Sequence, residues 1–146
     1  RPPVLDDLGL VAAAEWLASE FERNTRIKCR FFANEEHIDL DHQSSVAAFR
    51  ILQEALTNAA RHSAATEVWV SIEQEDELLR VRVEDNGIGI SEDAILGSGK
   101  MGILGMRERA RLVGGSLKIL LRKTSGTIVE FEINNNLGSI ILGRTK

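Results

Sequence analysis

Apolar and polar positions alternate along five stretches of the chain, and this two-residue period predicts β-strands. The clearest stretch covers residues 78–85, where Leu79, Val81 and Val83 share one side with Asp85. The other stretches are centred on Cys29, Val70, Ile119 and Phe131. Residues 75–77 separate two of the strands by a short acidic turn, which predicts an antiparallel hairpin.

Between these strands, apolar residues recur at helical spacing in three stretches. The first predicted helix covers residues 8–21 and follows a connector that contains two prolines and an aspartate pair. The second and longest covers residues 46–62, with Ser44 and Ser45 as candidate N-caps after a polar loop at residues 33–43. The third begins near Ile103 and ends at two consecutive glycines, 114 and 115.

The longest predicted helix has two distinct faces. A helical wheel places Glu54, Asn58, Arg61 and His62 together, opposite the apolar arc. Such a cluster is typical of a solvated helix face, but asparagine is a poor helix former and its presence in mid-helix needs a reason. Glu54 and Asn58 are four residues apart, so their polar groups lie within about 6 Å and can share an ion or a water. The apolar arc consists of Phe49, Leu52, Leu56, Ala59 and Ala60.

Asp85 falls on the apolar side of its strand, where a carboxylate is costly unless it meets a donor or a cation. Gly87 and Gly89 follow at once and allow close approach of the backbone to a ligand, which indicates a pocket floor. An ordinary turn is the alternative, because Asp-Asn-Gly is common turn chemistry. Thr127 shares parity with the buried side of the last strand and points to the same side of the sheet.

A glycine-rich segment precedes the third helix. Residues 90–98 impose few structural demands and lead into Gly99, Lys100 and Gly102, which predicts a mobile lid. Backbone N–H groups before a helix N-terminus can cradle phosphates. A Walker-type loop is excluded, because Ala94 stands where its first glycine belongs and Met101 where Ser or Thr must bind magnesium.

Composition narrows the class of protein. The 146 residues suit a single domain, and 43% apolar with 27% charged residues is typical of a globular protein. A net charge of −4 gives no basic surface for nucleic acid or an anionic membrane. The single cysteine, Cys29, offers no internal disulfide and fits a cytoplasmic setting. A start at Arg1 suggests a piece of a longer protein, whose anchoring to a membrane stays open.

The order of these motifs carries a resemblance. A helix with Glu54 and Asn58, the segment 85–89, a glycine-rich lid before a helix, and Gly126-Thr127 resemble the GHKL ATPase family of histidine kinases, DNA gyrase, Hsp90 chaperones and MutL. The resemblance runs from residue 44 to residue 133. It implies a two-layer α/β sandwich with a mixed, mostly antiparallel sheet covered on one face by helices.

Finer features resemble the nitrate-sensor-like subgroup of bacterial sensor histidine kinases. They lie in residues 1–17, 54–62 and 102–109. The chain lacks the phosphoacceptor histidine and dimerisation helices of that subgroup, since His37, His42 and His62 have no His-Asp or His-Glu context. Residues 1–146 are therefore interpreted as one catalytic domain, with residues 1–20 as the connector and helix after an absent module.

The resemblance also implies roles for individual residues. Asp85 would accept the adenine amino proton, supported by Thr127, and Asn58 would bind Mg²⁺ beside the ATP phosphates. Glu54 is the candidate base or magnesium organiser. Arg61, His62 or Lys100 would offset phosphate charge. The nucleotide pocket would be shaped by Gly87, Gly89, Gly99 and Gly102.

The implied partners are the missing dimerisation and phosphoacceptor module and a response regulator with a helix-turn-helix DNA-binding domain. We expect no direct contact of this domain with nucleic acid or membrane, and a monomer in isolation. Two alternatives stay open: a freestanding serine kinase of the anti-sigma-factor type, and an inactive module that only senses ATP.

Overall fold

The computed structural model describes residues 3–91 and 102–136, which form three helices and five strands. In chain order they are α1 (Pro3–Thr25), β1 (Lys28–Ala33), α2 (His42–His62), β2 (Glu67–Glu75), β3 (Leu78–Asp85), α3 (Ile103–Leu112), β4 (Ser116–Leu121) and β5 (Thr127–Asn134). The strands form one sheet in the order β1-β2-β3-β5-β4. β1 runs parallel to β2 and every other neighbouring pair is antiparallel, so the predicted mixed, mostly antiparallel sheet is confirmed.

Alternation along the strands produces two layers. In β2 and β3 the residues at every second position are buried, among them Val68, Val70, Val81 and Val83. All three helices contact the sheet. The intervening positions 80, 82 and 84 of β3 carry charged side chains and are only half-buried, as expected for the outer face of a sheet with one covered side. The predicted sandwich is therefore confirmed.

The first helix is longer than predicted. α1 covers Pro3–Thr25 instead of residues 8–21, and Gly9 (φ 88°, ψ 178°) interrupts its helical conformation. The apolar pattern ends at Phe21, but the Thr25 hydroxyl donates to the Phe21 carbonyl (2.7 Å) and the polar last turn stays helical. Apolar periodicity marks only the buried face of a helix, so it does not reveal a polar last turn that is exposed to solvent.

The second helix begins earlier and is capped by another residue. The Asp41 side chain accepts a hydrogen bond from the Ser44 N–H (3.1 Å), so the predicted caps Ser44 and Ser45 are wrong and lie inside the first turn. The predicted polar and apolar arcs also need correction. Asn58 is 7% exposed and belongs to the buried face, whereas Ala60 is exposed.

The third helix ends as predicted. α3 stops at Leu112, Gly114 adopts a left-handed φ of 79°, and the Gly115 N–H donates to the Ala110 carbonyl (2.8 Å). The predicted lid lies largely outside the described residues, as do Gly99, Lys100 and the apolar segment at residues 140–142. Among the helices of the described part, none has the length and apolar character to span a membrane.

Candidate functional site

Asp85 ends β3 and turns its carboxylate into the interior between sheet and helices. The residue is 7% exposed, and its Oδ1 accepts the Gly87 N–H at 2.9 Å. The backbone N–H of Thr127 lies near the same carboxylate. Burial raises the pKa of Asp85 above its usual value, while the two N–H groups and the nearby Arg122 oppose that rise. The predicted inward orientation of Asp85 is thus confirmed, and the backbone amide of Gly87 is a donor to it.

Thr127 begins β5 directly beside Asp85. It is 3% exposed, and its hydroxyl oxygen has no hydrogen-bond partner among the described residues. A buried hydroxyl without a partner costs free energy, so such a group marks a place where another molecule is expected to contact the protein. The alternation of inward and outward side chains along the last strand predicted that Thr127 points to the buried side of the sheet.

Asp85 and Thr127 line one pocket with the C-terminal half of α2. Its polar lining comes from Asn58, His62, Ser63, Asp85 and Thr127, with the backbone of Gly89. Its apolar lining comes from Ala55, Val83, Ile90 and Val129. Apolar walls with a few convergent polar groups are typical of small-molecule sites. Two of the four polar residues predicted on α2, Asn58 and His62, therefore line the same pocket as Asp85.

The other two polar residues of α2, Glu54 and Arg61, do not line this pocket. Glu54 is half-buried one turn before Asn58, and its carboxylate lies against the backbone of Gly102 at the start of α3. A Cβ on Gly102, which has a φ of 65°, would stand 2.6 Å from the Glu54 Cδ. Arg61 lines a groove between α1 and α2 together with Leu17 and Phe21. The structure thus brings Glu54 to Gly102 and does not bring Arg61 to the pocket.

The glycines after Asp85 let the loop cross close to its neighbours. A Cβ on Gly87 would stand 2.7 Å from the Ser63 carbonyl carbon, and the next N–H, of Ile88, donates to the Ser63 oxygen at 2.7 Å. Gly89 adopts a φ of 86°, and a Cβ there would meet the Gly126 carbonyl oxygen at 3.4 Å. Gly89 therefore lines the pocket, whereas Gly87 lies against Ser63 and is not part of the lining.

Three further residues hold this loop, and the sequence reasoning assigned them no role. Asn86 Oδ1 accepts the N–H groups of Thr66 (2.9 Å) and Glu67 (3.0 Å), which anchors the loop to the start of β2. Ser63 receives the loop at the end of α2, and the Ser125 hydroxyl donates to the Gly87 carbonyl. Asn86 had a signal in its Asp-Asn-Gly context, whereas the two serines had none.

Comparison with known proteins identifies the family in which this arrangement occurs. Residues 43–137 match the family model described as "Histidine kinase-, DNA gyrase B-, and HSP90-like ATPase". The oxygen sensor histidine kinase NreB of Staphylococcus carnosus is 36% identical over 134 residues, which cover 91% of this chain and 38% of NreB. The chain therefore spans less than two fifths of the length of this curated relative.

Solved structures show the same fold. The histidine kinase domain of the blue-light activated histidine kinase from Erythrobacter litoralis EL346 is 25% identical, with a TM-score of 0.67 over 94% of this chain and 66% of that chain. The nucleotide-free catalytic domain of histidine kinase ThkA is 21% identical, with a TM-score of 0.70 over 86% of this chain and 91% of that chain. The family match covers most of this chain and includes every residue of the pocket, so the chain belongs to the histidine kinase-, DNA gyrase B- and HSP90-like ATPase family.

Proposed function

We propose that this chain is the ATP-binding catalytic domain of a sensor histidine kinase. It would donate the γ-phosphoryl group of ATP to a histidine on a dimerisation module, for relay to a response regulator with a helix-turn-helix domain. One observation carries the proposal: a buried carboxylate, Asp85, lies beside a buried hydroxyl, Thr127, that has no partner among the described residues. Membership of an ATPase family implies ATP as the nucleotide.

The lining of the pocket suits an adenine base. The exocyclic amino group of adenine is a donor, and the Asp85 carboxylate is an acceptor that already receives the backbone N–H of Gly87. The Thr127 hydroxyl supplies the second polar contact, directly or through a water. Val83, Ile90 and Val129 provide an apolar lining for the faces of the ring.

Asn58 and Glu54 suit a magnesium ion held against the ATP phosphates. Both present oxygen ligands one helical turn apart, and Mg²⁺ in phosphate sites takes only one or two protein ligands with phosphate and water oxygens. When bound, Mg²⁺ would neutralise charge on the phosphates during transfer. His62 lines the pocket and is a better candidate than Arg61 to meet phosphate charge. The roles proposed for Gly99 and Lys100 concern positions outside the described residues.

The transfer itself needs little covalent chemistry from this domain. A nitrogen of the accepting imidazole attacks the γ-phosphorus, the bond between that phosphorus and the β–γ bridging oxygen breaks, and ADP leaves. The accepting nitrogen has to be free of its proton. Glu54, whose carboxylate lies against Gly102, would either take that proton or organise the magnesium ion. This domain contributes position and electrostatics.

The match to NreB favours a sensor kinase over a freestanding serine kinase. An alignment over 134 residues has to include part of the segment before residue 43, where the family model begins. That segment contains α1, which packs on both α2 and β1. A freestanding kinase of the anti-sigma-factor type would not need the features of residues 1–17.

The first test is calorimetric titration of ADP and a non-hydrolysable ATP analogue with Mg²⁺ into the wild type, Asp85→Asn and Asp39→Asn. Asp39 is an exposed aspartate whose carbonyl contacts Asn135, at the end of β5 opposite Thr127. We expect Asp85→Asn to weaken binding by roughly 10-fold or more, because a hydrogen bond to a charged group is lost, while Asp39→Asn binds normally. A wild type that binds neither nucleotide would overturn the proposal.

The second test identifies the acceptor. The domain is mixed with the separately purified dimerisation and phosphoacceptor module of the parent protein and labelled ATP. Phosphate that is labile in acid and stable in base is expected, as phosphohistidine requires. Acid-stable phosphoserine on a protein substrate would instead support the serine kinase.

A further inference from the structure

Arg122 follows β4 on the outer face of the sheet, away from the pocket. Its guanidinium lies over the ring of Trp69, 4.8 Å from the centroid, and forms an ion pair with Glu84. Trp69 and Glu84 alternate with the buried positions of β2 and β3, so both belong to the face opposite Asp85. The side chain of Arg122 is only 26% exposed. The guanidinium is therefore held in one place by an aromatic ring and a carboxylate.

The same residue also holds the turn between β4 and β5. The Arg122 N–H donates to the Gly126 carbonyl at 2.9 Å. Its Nη1 donates to the Ser125 carbonyl at 3.1 Å and to the Thr124 hydroxyl at 3.2 Å. Arginine is suited to this task because its planar group presents several donors in a fixed geometry. Residues 124–126 are thereby fixed relative to the outer face.

That turn contacts the end of β3 at Asp85 and the loop after it at Gly87. Gly126 (φ 119°) lies so close that an added Cβ would stand 2.8 Å from the Asp85 carbonyl carbon. The Ser125 hydroxyl donates to the carbonyl of Gly87, whose own N–H binds the Asp85 carboxylate. Thr127, the next residue, lines the pocket with Asp85, and its N–H lies near the same carboxylate. Direct contacts thus connect the guanidinium on the outer face to the carboxylate on the inner face.

We propose that Arg122 is a positioning residue for the nucleotide site. It clamps residues 124–126 so that Gly126, which lies against the Asp85 backbone, and the adjoining Thr127 keep the Asp85 carboxylate in the orientation that recognises adenine. This inference rests on the function proposed above and adds a residue that does not line the pocket. The contact with the base would still come from Asp85 and Thr127, and Arg122 would set how well those two groups are aligned.

Arg80 offers a matched control on the same face of the sheet. Its side chain is 28% exposed and pairs with Glu132 at 2.8 Å, and more distantly with Glu130 and Glu75. Replacing Arg80 or Arg122 with methionine removes a half-buried guanidinium from the outer face. Of the two, only Arg122 contacts the turn beside Asp85. Arg122→Lys keeps the charge without the planar fork and separates charge from geometry.

The experiment compares the dissociation constants of ADP and GDP for the wild type, Arg122→Met, Arg122→Lys and Arg80→Met. The unfolding free energy of each variant is measured in parallel. GDP is informative because guanine carries a carbonyl where adenine carries its amino group, so a misplaced Asp85 lowers the preference for ADP. If Arg122 only stabilised the fold, its replacement would weaken the binding of ADP and GDP alike.

We expect Arg122→Met to bind ADP about 10-fold more weakly with little change for GDP, and Arg122→Lys to recover part of that loss. Arg80→Met is expected to keep the wild-type preference at a similar loss of stability. An Arg122→Met variant that keeps the wild-type ratio of ADP to GDP affinity overturns the positioning role. A wild type that fails to bind ADP overturns the proposed function instead, so the two failures are distinguishable.

Discussion

The backbone of Gly102 lies directly against the carboxylate of Glu54, which connects the start of α3 to the middle of α2. The left-handed φ of Gly102 is 65°, and a Cβ there would stand 2.6 Å from the Glu54 Cδ. The close approach brings the end of the glycine-rich segment to the residue proposed to act on magnesium or on the transferred proton. Only glycine fits this position without moving Glu54.

We expect Gly102→Ala to lower the rate of phosphoryl transfer to the isolated phosphoacceptor module by about 10-fold, because a displaced Glu54 loses its alignment. Affinity for ADP without Mg²⁺ should change little, since Asp85 and Thr127 are untouched. The unfolding free energy should fall by about 1–2 kcal/mol, the cost of a left-handed alanine. Transfer and binding are measured by labelled ATP and by calorimetry.

Gly105→Ala is the control for this prediction. Gly105 lies on the same helix, and an added Cβ there meets nothing within 4 Å. Alanine in place of this exposed glycine in the first turn of α3 should raise the unfolding free energy by roughly 0.5–1 kcal/mol and leave transfer unchanged. Equal transfer rates in Gly102→Ala and Gly105→Ala would contradict the role given to the Gly102 and Glu54 contact.

Thr127→Val should change stability and binding in opposite directions. The Thr127 hydroxyl is buried without a partner among the described residues, so its replacement by a methyl group removes a desolvation cost. We expect the unfolding free energy of the nucleotide-free protein to rise by up to about 1 kcal/mol. Affinity for ADP should fall by about 3- to 10-fold because the base loses a polar contact. Chemical denaturation and calorimetry measure the two effects.

Thr66→Val makes the same chemical change where the hydroxyl has a partner. Thr66 Oγ1 accepts a hydrogen bond from the Asn86 amide at 2.9 Å. We expect this variant to lose about 0.5–1 kcal/mol of stability, in contrast to Thr127→Val. If Thr127→Val destabilises the protein as much as Thr66→Val does, the Thr127 hydroxyl is satisfied in solution and its proposed contact with nucleotide loses its basis.

The sheet side of the pocket could be predicted because strand geometry has a fixed period. Side chains alternate strictly, so Asp85 and Thr127 were placed on the inner face by counting from Val83 and Val129. Their neighbourhood then followed from the pairing of β3 with β5. The carboxylate of Asp85 was an exception to the apolar pattern of the inner face, and functional residues are expected at such exceptions.

The helical side was predicted less well. α2 contacts α1 as well as the sheet, so its buried face is wider than one apolar arc and includes Asn58. The cap at Asp41 lay in a segment interpreted as loop, since several polar residues there were equally able to begin a helix. Ser63 and Ser125 had no signal at all, because their roles depend on where two loops meet in space.

Cys29 is expected to react slowly with alkylating reagents. Burial, and secondarily the carboxylate of Glu22, raise the pKa of its thiol to about 11. The thiolate is the reactive form, so the rate with iodoacetamide at about pH 8 should be on the order of 100-fold below that of free glutathione. Glu22→Gln should raise the rate severalfold without reaching the free thiol, because the burial remains. A rate equal to that of glutathione would contradict this assignment.

Asp85 should give the stability of the protein a distinctive dependence on pH. Burial raises the pKa of Asp85 in the folded state, so the folded protein holds this proton more tightly than the unfolded chain does. The resulting contribution to stability is fully present below the usual carboxylate pKa and is lost as pH rises through the raised value. Above that value the protein carries the cost of a buried charge, which Asp85→Asn removes.

The measurement is the unfolding free energy of wild type and Asp85→Asn by chemical denaturation at a series of pH values, with Asp39→Asn as an exposed control. The wild type minus Asp85→Asn difference should decrease as pH rises through the raised pKa, while the wild type minus Asp39→Asn difference stays flat there. A difference that grows with pH would mean that the backbone N–H groups of Gly87 and Thr127 outweigh the burial. Saturating ADP should oppose the decrease, because the amino group of adenine favours the ionised carboxylate and lowers its pKa.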